Sequence, residues 1–330
     1  MKTALIFSTL IIGLATAPAS AQSRLAPYDA AAARMATQQP DRPGQRIVGG
    51  MQAIPGSYPF QVALVVADTP EGQEFAGFFC GGTRIGERHI LTAAHCFQSK
   101  DGGDNVLASD VNVYLGQTNF RGGERIPVKS LTRHPQWNAI SLANDIAVLE
   151  LDRAPAPETR STIIQMAPAA TPESTAPRPT VGVRVIGWGA LDQGGPSSRV
   201  LREVPLMLVD HGACLADHTS WRDRQASGII KEIAGMVGWS KESEGKLRRV
   251  LSEASGPALS DKVICASAEF GNRSPCYGDS GGPLFAEGAD GKPVQLGVVS
   301  WGISCRTRDV EGVFTDVAKY RDWLAEVMAR

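Results

Sequence analysis

The chain has 330 residues, 43% of them hydrophobic, with 33 basic and 34 acidic residues and a formal net charge of −1. That apolar share supports a packed core and excludes a disordered chain, which needs low hydrophobicity and high net charge. The charge balance removes any bulk pull on nucleic acid or anionic lipid, and the length suits one large all-β unit or two smaller ones.

In chain order, Lys2 precedes an apolar run over 4–15, and Ala19-Ser20-Ala21 has the small residues of a cleavage site. This predicts a secretory signal peptide over 1–21. The run is shorter than the roughly 20 apolar residues that span a bilayer, so no membrane association is expected. Export makes disulfides the leading reading of the six cysteines, Cys80, Cys96, Cys214, Cys265, Cys276 and Cys305. No C-x-x-C pair or histidine cluster accompanies them, so no zinc site is expected.

Residues 22–46 are rich in Ala, Gln and Pro without a clear period, which predicts a flexible leader. From Ile47 onward, short apolar runs alternate with glycine-rich breaks, at 60–66, 111–115, 146–151, 181–186 and 294–299. Many short strands with turn residues between them predict a sandwich or barrel. A proline-rich stretch over 154–180 divides two strand-rich regions, since proline stiffens a connection and resists central-strand pairing. The regions are assigned to 47–151 and 181–316, with a linker over 152–180. Residues 221–251 break the β texture with spacings that fit two short amphipathic helices, separated near 238–245. Val317, Tyr320, Leu324 and Val327 predict a C-terminal helix over 317–329.

Residues 278–282, Gly-Asp-Ser-Gly-Gly, match the G-x-S-x-G elbow of α/β-hydrolases, but that fold needs a histidine after the serine. All five histidines precede Ser280. The order His, Asp, Ser is available instead: His95 in Leu-Thr-Ala-Ala-His-Cys, Asp145 in Asn-Asp-Ile-Ala-Val-Leu, and Ser280 in Gly-Asp-Ser-Gly-Gly-Pro. With Arg46-Ile47-Val48-Gly49-Gly50 ahead of them, these motifs resemble the chymotrypsin/trypsin family of serine proteases. The resemblance runs from Ile47 to the C-terminus, apart from the helical segment.

The resemblance implies an all-β fold of two Greek-key β-barrels, with a C-terminal helix and a helical insertion at about 217–257 in the second barrel. It implies a catalytic triad in which His95 takes the proton of Ser280 and Asp145 orients and stabilises the imidazole. The backbone N–H groups of Gly278 and Ser280 would form the oxyanion hole, and Ser300 would support Asp145. Cleavage after Arg46 would free the Ile47 amine to pair with buried Asp279, shaping the pocket. The leader carries no cysteine, so it is expected to leave after cleavage. Phe78 stands where some family zymogens hold a latch histidine, so that latch is expected to be absent. By resemblance the disulfides are Cys80–Cys96, Cys214–Cys265 and Cys276–Cys305; six cysteines by themselves allow fifteen pairings.

The same resemblance places the primary specificity pocket among 274–280, Ser300, Trp301, Gly302 and Gly312. Ser274 stands where trypsin-like members carry aspartate, so cleavage after large apolar residues is expected, with basic specificity as the alternative. Pro275 departs from the usual polar residue there, and Arg273, Arg306 and Arg308 lie near in sequence; turned inward they would favour an acidic substrate side chain, but they are expected as solvated loop residues. A substrate strand would pair with 300–302. The insertion either decorates the second barrel or borders the cleft as a lid or exosite. No metal or cofactor is expected; Gln117-Thr118-Asn119 lacks the first acidic ligand of a relative's calcium loop. The expected partners are protein or peptide substrates and an activating protease, acting on a secreted monomer. A protease-like binding protein without activity is the rival from another class, and the complete triad opposes it.

Overall fold

The computed structural model describes residues 27–37, 50–98, 106–169, 182–190, 195–254, 257–268, 274–302 and 311–330. The expected signal peptide, Arg46, Ile47, Cys305 and the three arginines at 273, 306 and 308 lie outside them.

The leader departs from expectation. Residues Pro27–Thr37 form an α-helix, α1. Proline opens it where a missing N–H costs nothing, and the alanines that follow are the strongest helix formers. Because alanine adds little to an apolar pattern, the helix leaves no clear period in the sequence. Ala31 is nevertheless fully buried and joins the core of the first barrel.

After a two-residue strand, β1 (Met51–Gln52), the first barrel closes from β2 (Gln61–Val66), β3 (Phe78–Arg84), β4 (His89–Thr92), β5 (Val111–Leu115), β6 (Glu124–Arg133) and β7 (Ala147–Leu151). Their order is β2-β3-β4-β7-β6-β5, all antiparallel. A short helix, α2 (Glu74–Gly77), precedes β3. Leu64, Ile90, Leu91, Leu115, Ile126 and Leu149 fill the interior.

The expected linker contains a further strand, β8 (Gln165–Met166), paired parallel with a strand of the second barrel. It forms because buried Ile164 anchors it, and Pro168, Pro172, Pro177 and Pro179 fall beyond it.

The second barrel holds β9 (Gly182–Gly187), β10 (Arg202–Val209), β11 (Val263–Ser267), β12 (Pro283–Glu287), β13 (Pro293–Trp301) and β14 (Gly312–Asp316). Neighbours run β10-β11-β14-β13-β12-β9, and pairing of β9 with β10 closes the ring. Val183, Val185, Val204, Leu206, Leu284 and Phe314 make its core. The barrels meet through Tyr58, Phe60 and Phe285, whose rings pack edge-on at 5.4–6.0 Å.

Between β10 and β11 stand two helices, α3 (His211–Val237) and α4 (Lys241–Ala254). α3 begins ten residues before the apolar period, because its start is set by a cap: the Asp210 carboxylate accepts from Ala213 N at 3.0 Å. It ends at Gly238, whose φ of 68° is left-handed. Gly245 lies within α4 and does not break it; exposed pairs Glu242–Lys246 and Glu244–Arg248 span its turns. The C-terminal helix follows as a 3-10 turn, Val317–Tyr320, and α5 (Arg321–Met328). Among the described residues no helix is long and apolar enough to cross a membrane.

Candidate active site

His95 lies on a 3-10 turn, Ala94–Phe97, directly after β4. The disulfide Cys80–Cys96 ties that turn to β3. Asp145 precedes β7 and is 1% exposed. Its approach is held by Asn144, whose left-handed φ of 56° turns the chain. Asn144 Nδ2 donates to Gln136 O at 2.8 Å, and Tyr320 Oη donates to Asn144 Oδ1 at 3.1 Å.

The two residues, 50 apart in sequence, meet through both carboxylate oxygens. Asp145 Oδ2 is 2.7 Å from His95 Nδ1, and Oδ1 accepts from His95 N at 2.9 Å. An ionised carboxylate only accepts, so Nδ1 carries a proton, and in the neutral imidazole Nε2 then keeps the lone pair. From the second barrel, Ser300 Oγ donates to Asp145 Oδ2, and Thr315 Oγ1 donates to Asp145 O at 2.7 Å. The buried carboxylate is thus satisfied from both barrels. The Ser300 side chain is thus committed to Asp145.

Ser280 lies on the turn between Cys276 and β12. Gly81 N of β3 donates to Ser280 O at 2.8 Å, and Gly281 N donates to Val299 O at 2.9 Å. These bonds set the serine against the strand that also anchors the His95 turn. A Cβ on Gly281 would lie 2.5 Å from Gly81 O, which shows how closely the turn approaches β3. Among the described residues Ser280 Oγ makes no hydrogen bond to His95 Nε2; such contacts tighten when substrate binds. Gly278 has φ 97°, a backbone state that only glycine adopts without strain. A Cβ there would also come 3.2 Å from the ring of Phe78, which is packed edge-on against Phe120 and Trp188.

Asp279 points away from Ser280 into the protein. Oδ1 accepts from Gly189 N at 2.7 Å and Oδ2 from Cys276 N at 2.8 Å. Burial pushes its carboxyl up to about 6, against the pull of those two N–H groups. Among the described residues it meets no cation. A Cβ on Gly187 or Gly189 would come within 2.1–2.5 Å of its carboxylate, so both positions are vacated for it. Neither glycine was singled out by the motifs, because the relevant partner is 90 residues away.

A Cβ on Gly302 would face Gly312 Cα at 4.0 Å, placing these glycines opposite each other. Ser274 is half-buried near Cys276. His218, which belongs to none of the motifs, packs behind this segment. It is 1% exposed, its ring meets Trp301 edge-on at 5.0 Å, and Nε2 lies 3.2 Å from Glu311 O. Burial holds its pKa down.

Cys214–Cys265 is the second disulfide seen, and it joins α3 to β11. Cys276 is also disulfide-bonded, while Cys305 lies outside the described residues. Two groupings could suggest a metal, Cys80–His95–Cys96 and Cys214–His218–Glu311. Their sulfurs are all in disulfides, which leaves no thiolate to ligate.

A family model described as Trypsin matches residues 47–324. The chain is 33% identical to transmembrane protease serine 9 of Rattus norvegicus, over 87% of this chain and 22% of that protein. It is 30% identical to serine protease 56 of Homo sapiens, over 90% of this chain and 41% of that protein. It is 29% identical to trypsin 5G1 of Aedes aegypti, over 87% of this chain and 86% of that protein. The chain therefore spans less than half the length of the first two of these relatives and most of the third. Matching motifs, paired barrels and a family model covering most of the sequence lead to one conclusion: the chain belongs to the trypsin family of serine proteases.

Proposed function

We propose that the chain is a secreted serine endopeptidase, made as a zymogen and activated by cleavage after Arg46. It cuts peptide bonds after large apolar residues such as Phe, Tyr, Leu or Met. The observation that carries the reading is the buried Asp145 carboxylate, held by His95 and Ser300 beside the Ser280 turn. His95 Nε2 takes the proton of Ser280 as Oγ attacks the scissile carbonyl, and returns it to the leaving amine. Asp145 fixes the tautomer and stabilises the imidazolium. The N–H groups of Gly278 and Ser280 receive the oxyanion, each contributing about 3 kcal/mol to the lowering of the barrier. Neutral Ser274, with Gly302 and Gly312, suits an apolar side chain over a basic one.

The freed Ile47 amine supplies the cation that Asp279 lacks, and the enzyme acts as a monomer exported by its signal peptide. An apolar preference makes the Arg46 bond a poor self-substrate, so a separate protease of basic specificity performs the activation.

A serine-directed phosphonylating reagent tests the chemistry. The activated protein should label on Ser280, and Ser280→Ala should abolish labelling and lower kcat by at least about 10⁴-fold. An unlabelled native protein would overturn the reading. Peptides differing only before the scissile bond test specificity: preference for Arg or Lys would refute the apolar assignment.

A further inference from the structure

α1 sets Tyr28, Ala31 and Met35 on one face, at helical spacing. That face is docked on the first barrel. Ala31 is fully buried. The Tyr28 ring meets Phe79 edge-on, with centroids 5.4 Å apart. Met35 Sδ lies 3.0 Å from Oγ1 of buried Thr69. Beneath, Phe79 packs edge-on against Phe97 at 6.3 Å, and Phe97 ends the 3-10 turn that carries His95.

We propose that residues 22–46, once severed after Arg46, remain bound to the first barrel through α1 as a noncovalent light chain that braces the His95 turn. This rests on reading Arg46 as the activation site. Hydrolysis there adds one water across the Arg46–Ile47 bond, leaving a carboxylate on Arg46 and an amine on Ile47. Tyr28, Ala31 and Met35 lie upstream of that bond, and their partners Thr69 and Phe79 lie downstream of it. Cleavage therefore removes none of these contacts. It removes only the tether, and with it the high effective concentration of the helix. The expectation that a leader without cysteine diffuses away considers covalent retention alone. Departure of α1 would uncover Phe79, an aromatic ring two residues from Gly81, whose N–H anchors Ser280.

The test uses the secreted chain from residue 22, with residues 42–46 replaced by the recognition sequence of a highly selective protease. Mass spectrometry verifies a new terminus at Ile47, and gel filtration then measures leader peptide per barrel. One peptide per barrel is expected to co-elute. Ala31→Arg should lose at least nine-tenths of it. Tyr28→Ala and Met35→Ala, milder changes that keep the barrel folded, should each speed dissociation several-fold. A peptide found only in the low-mass fraction, or full retention by Ala31→Arg, overturns the proposal. Onset of peptidase activity on the same cut reports separately on activation: a cut chain that holds its peptide but gains no activity counts against the Arg46 reading and not against retention.

Discussion

At the scale of single residues, Asp279 makes the sharpest prediction. A carboxylate normally titrates near 3.8, and burial raises this one to about 6. The folded, uncut chain therefore binds this proton more tightly than the unfolded chain does. Its contribution to stability is greatest below about pH 4 and is lost as pH rises through 6, a change of about 3 kcal/mol. Other carboxyls titrate in the same window, so the quantity to follow is the stability difference between wild type and Asp279→Asn. Asparagine keeps the acceptor for Gly189 N but turns an N–H toward Cys276 N, an offset that does not vary with pH. In denaturant melts of the uncut Ser280→Ala chain, the wild type should lose about 2 kcal/mol relative to Asp279→Asn between pH 4 and 7. A flat difference would show that the carboxylate already has a cation in the uncut chain. After cleavage the trend should shrink or reverse, because the amine of Ile47 favours the charged form.

At the scale of elements, the insertion is where residue pattern and structure part company most. α3 reaches the 300–302 segment, the proposed substrate strand, through its first turns, where His218 backs Trp301. Removing that ring takes away the backing of Trp301, while the Ser300 hydroxyl stays bonded to Asp145. His218→Ala should therefore raise KM for an extended peptide about threefold to tenfold, the equivalent of one edge-on ring contact, with kcat within about twofold. His218→Phe should restore KM. A loss of kcat alone would place His218's effect on the triad instead. The strands were legible in the sequence because β5 and β7 alternate or bury whole apolar runs between glycine breaks. His95, Asp145 and Ser280 were legible as a set because their motifs, in that chain order, resemble those of the family; the order alone only excludes the α/β-hydrolase elbow. Two elements stayed hidden for physical reasons. The first turns of α3 are polar and set by the Asp210 cap, and α1 is built on alanine, whose helix preference exceeds its hydrophobic contrast. Long-range partners such as Gly189 with Asp279 leave no local pattern at all.

At the scale of the whole molecule, two barrels with separate cores share one site, so covalent bracing and catalysis need not fail together. Cys80–Cys96 closes 16 residues and Cys214–Cys265 closes 51. Restricting the unfolded chain is worth about 3 kcal/mol for the shorter loop and about 4 kcal/mol for the longer. Their positions rank the other way for chemistry. The first bond joins β3, whose Gly81 N–H holds Ser280 O, to the turn that presents His95. The second joins α3 to β11, which lies beside Trp301 and pairs with Gly312 of β14 but makes no described bond to His95, Asp145 or Ser280. The paired substitution Cys214→Ala/Cys265→Ala should therefore lower the denaturation midpoint more, while Cys80→Ala/Cys96→Ala should lower kcat more when both proteins are assayed well below their midpoints. Equal losses of kcat would mean that the barrels transmit strain across their aromatic seam of Tyr58, Phe60 and Phe285. A greater kcat loss from the second pair would instead make the insertion, and not the His95 turn, the element that sets the geometry of the reaction.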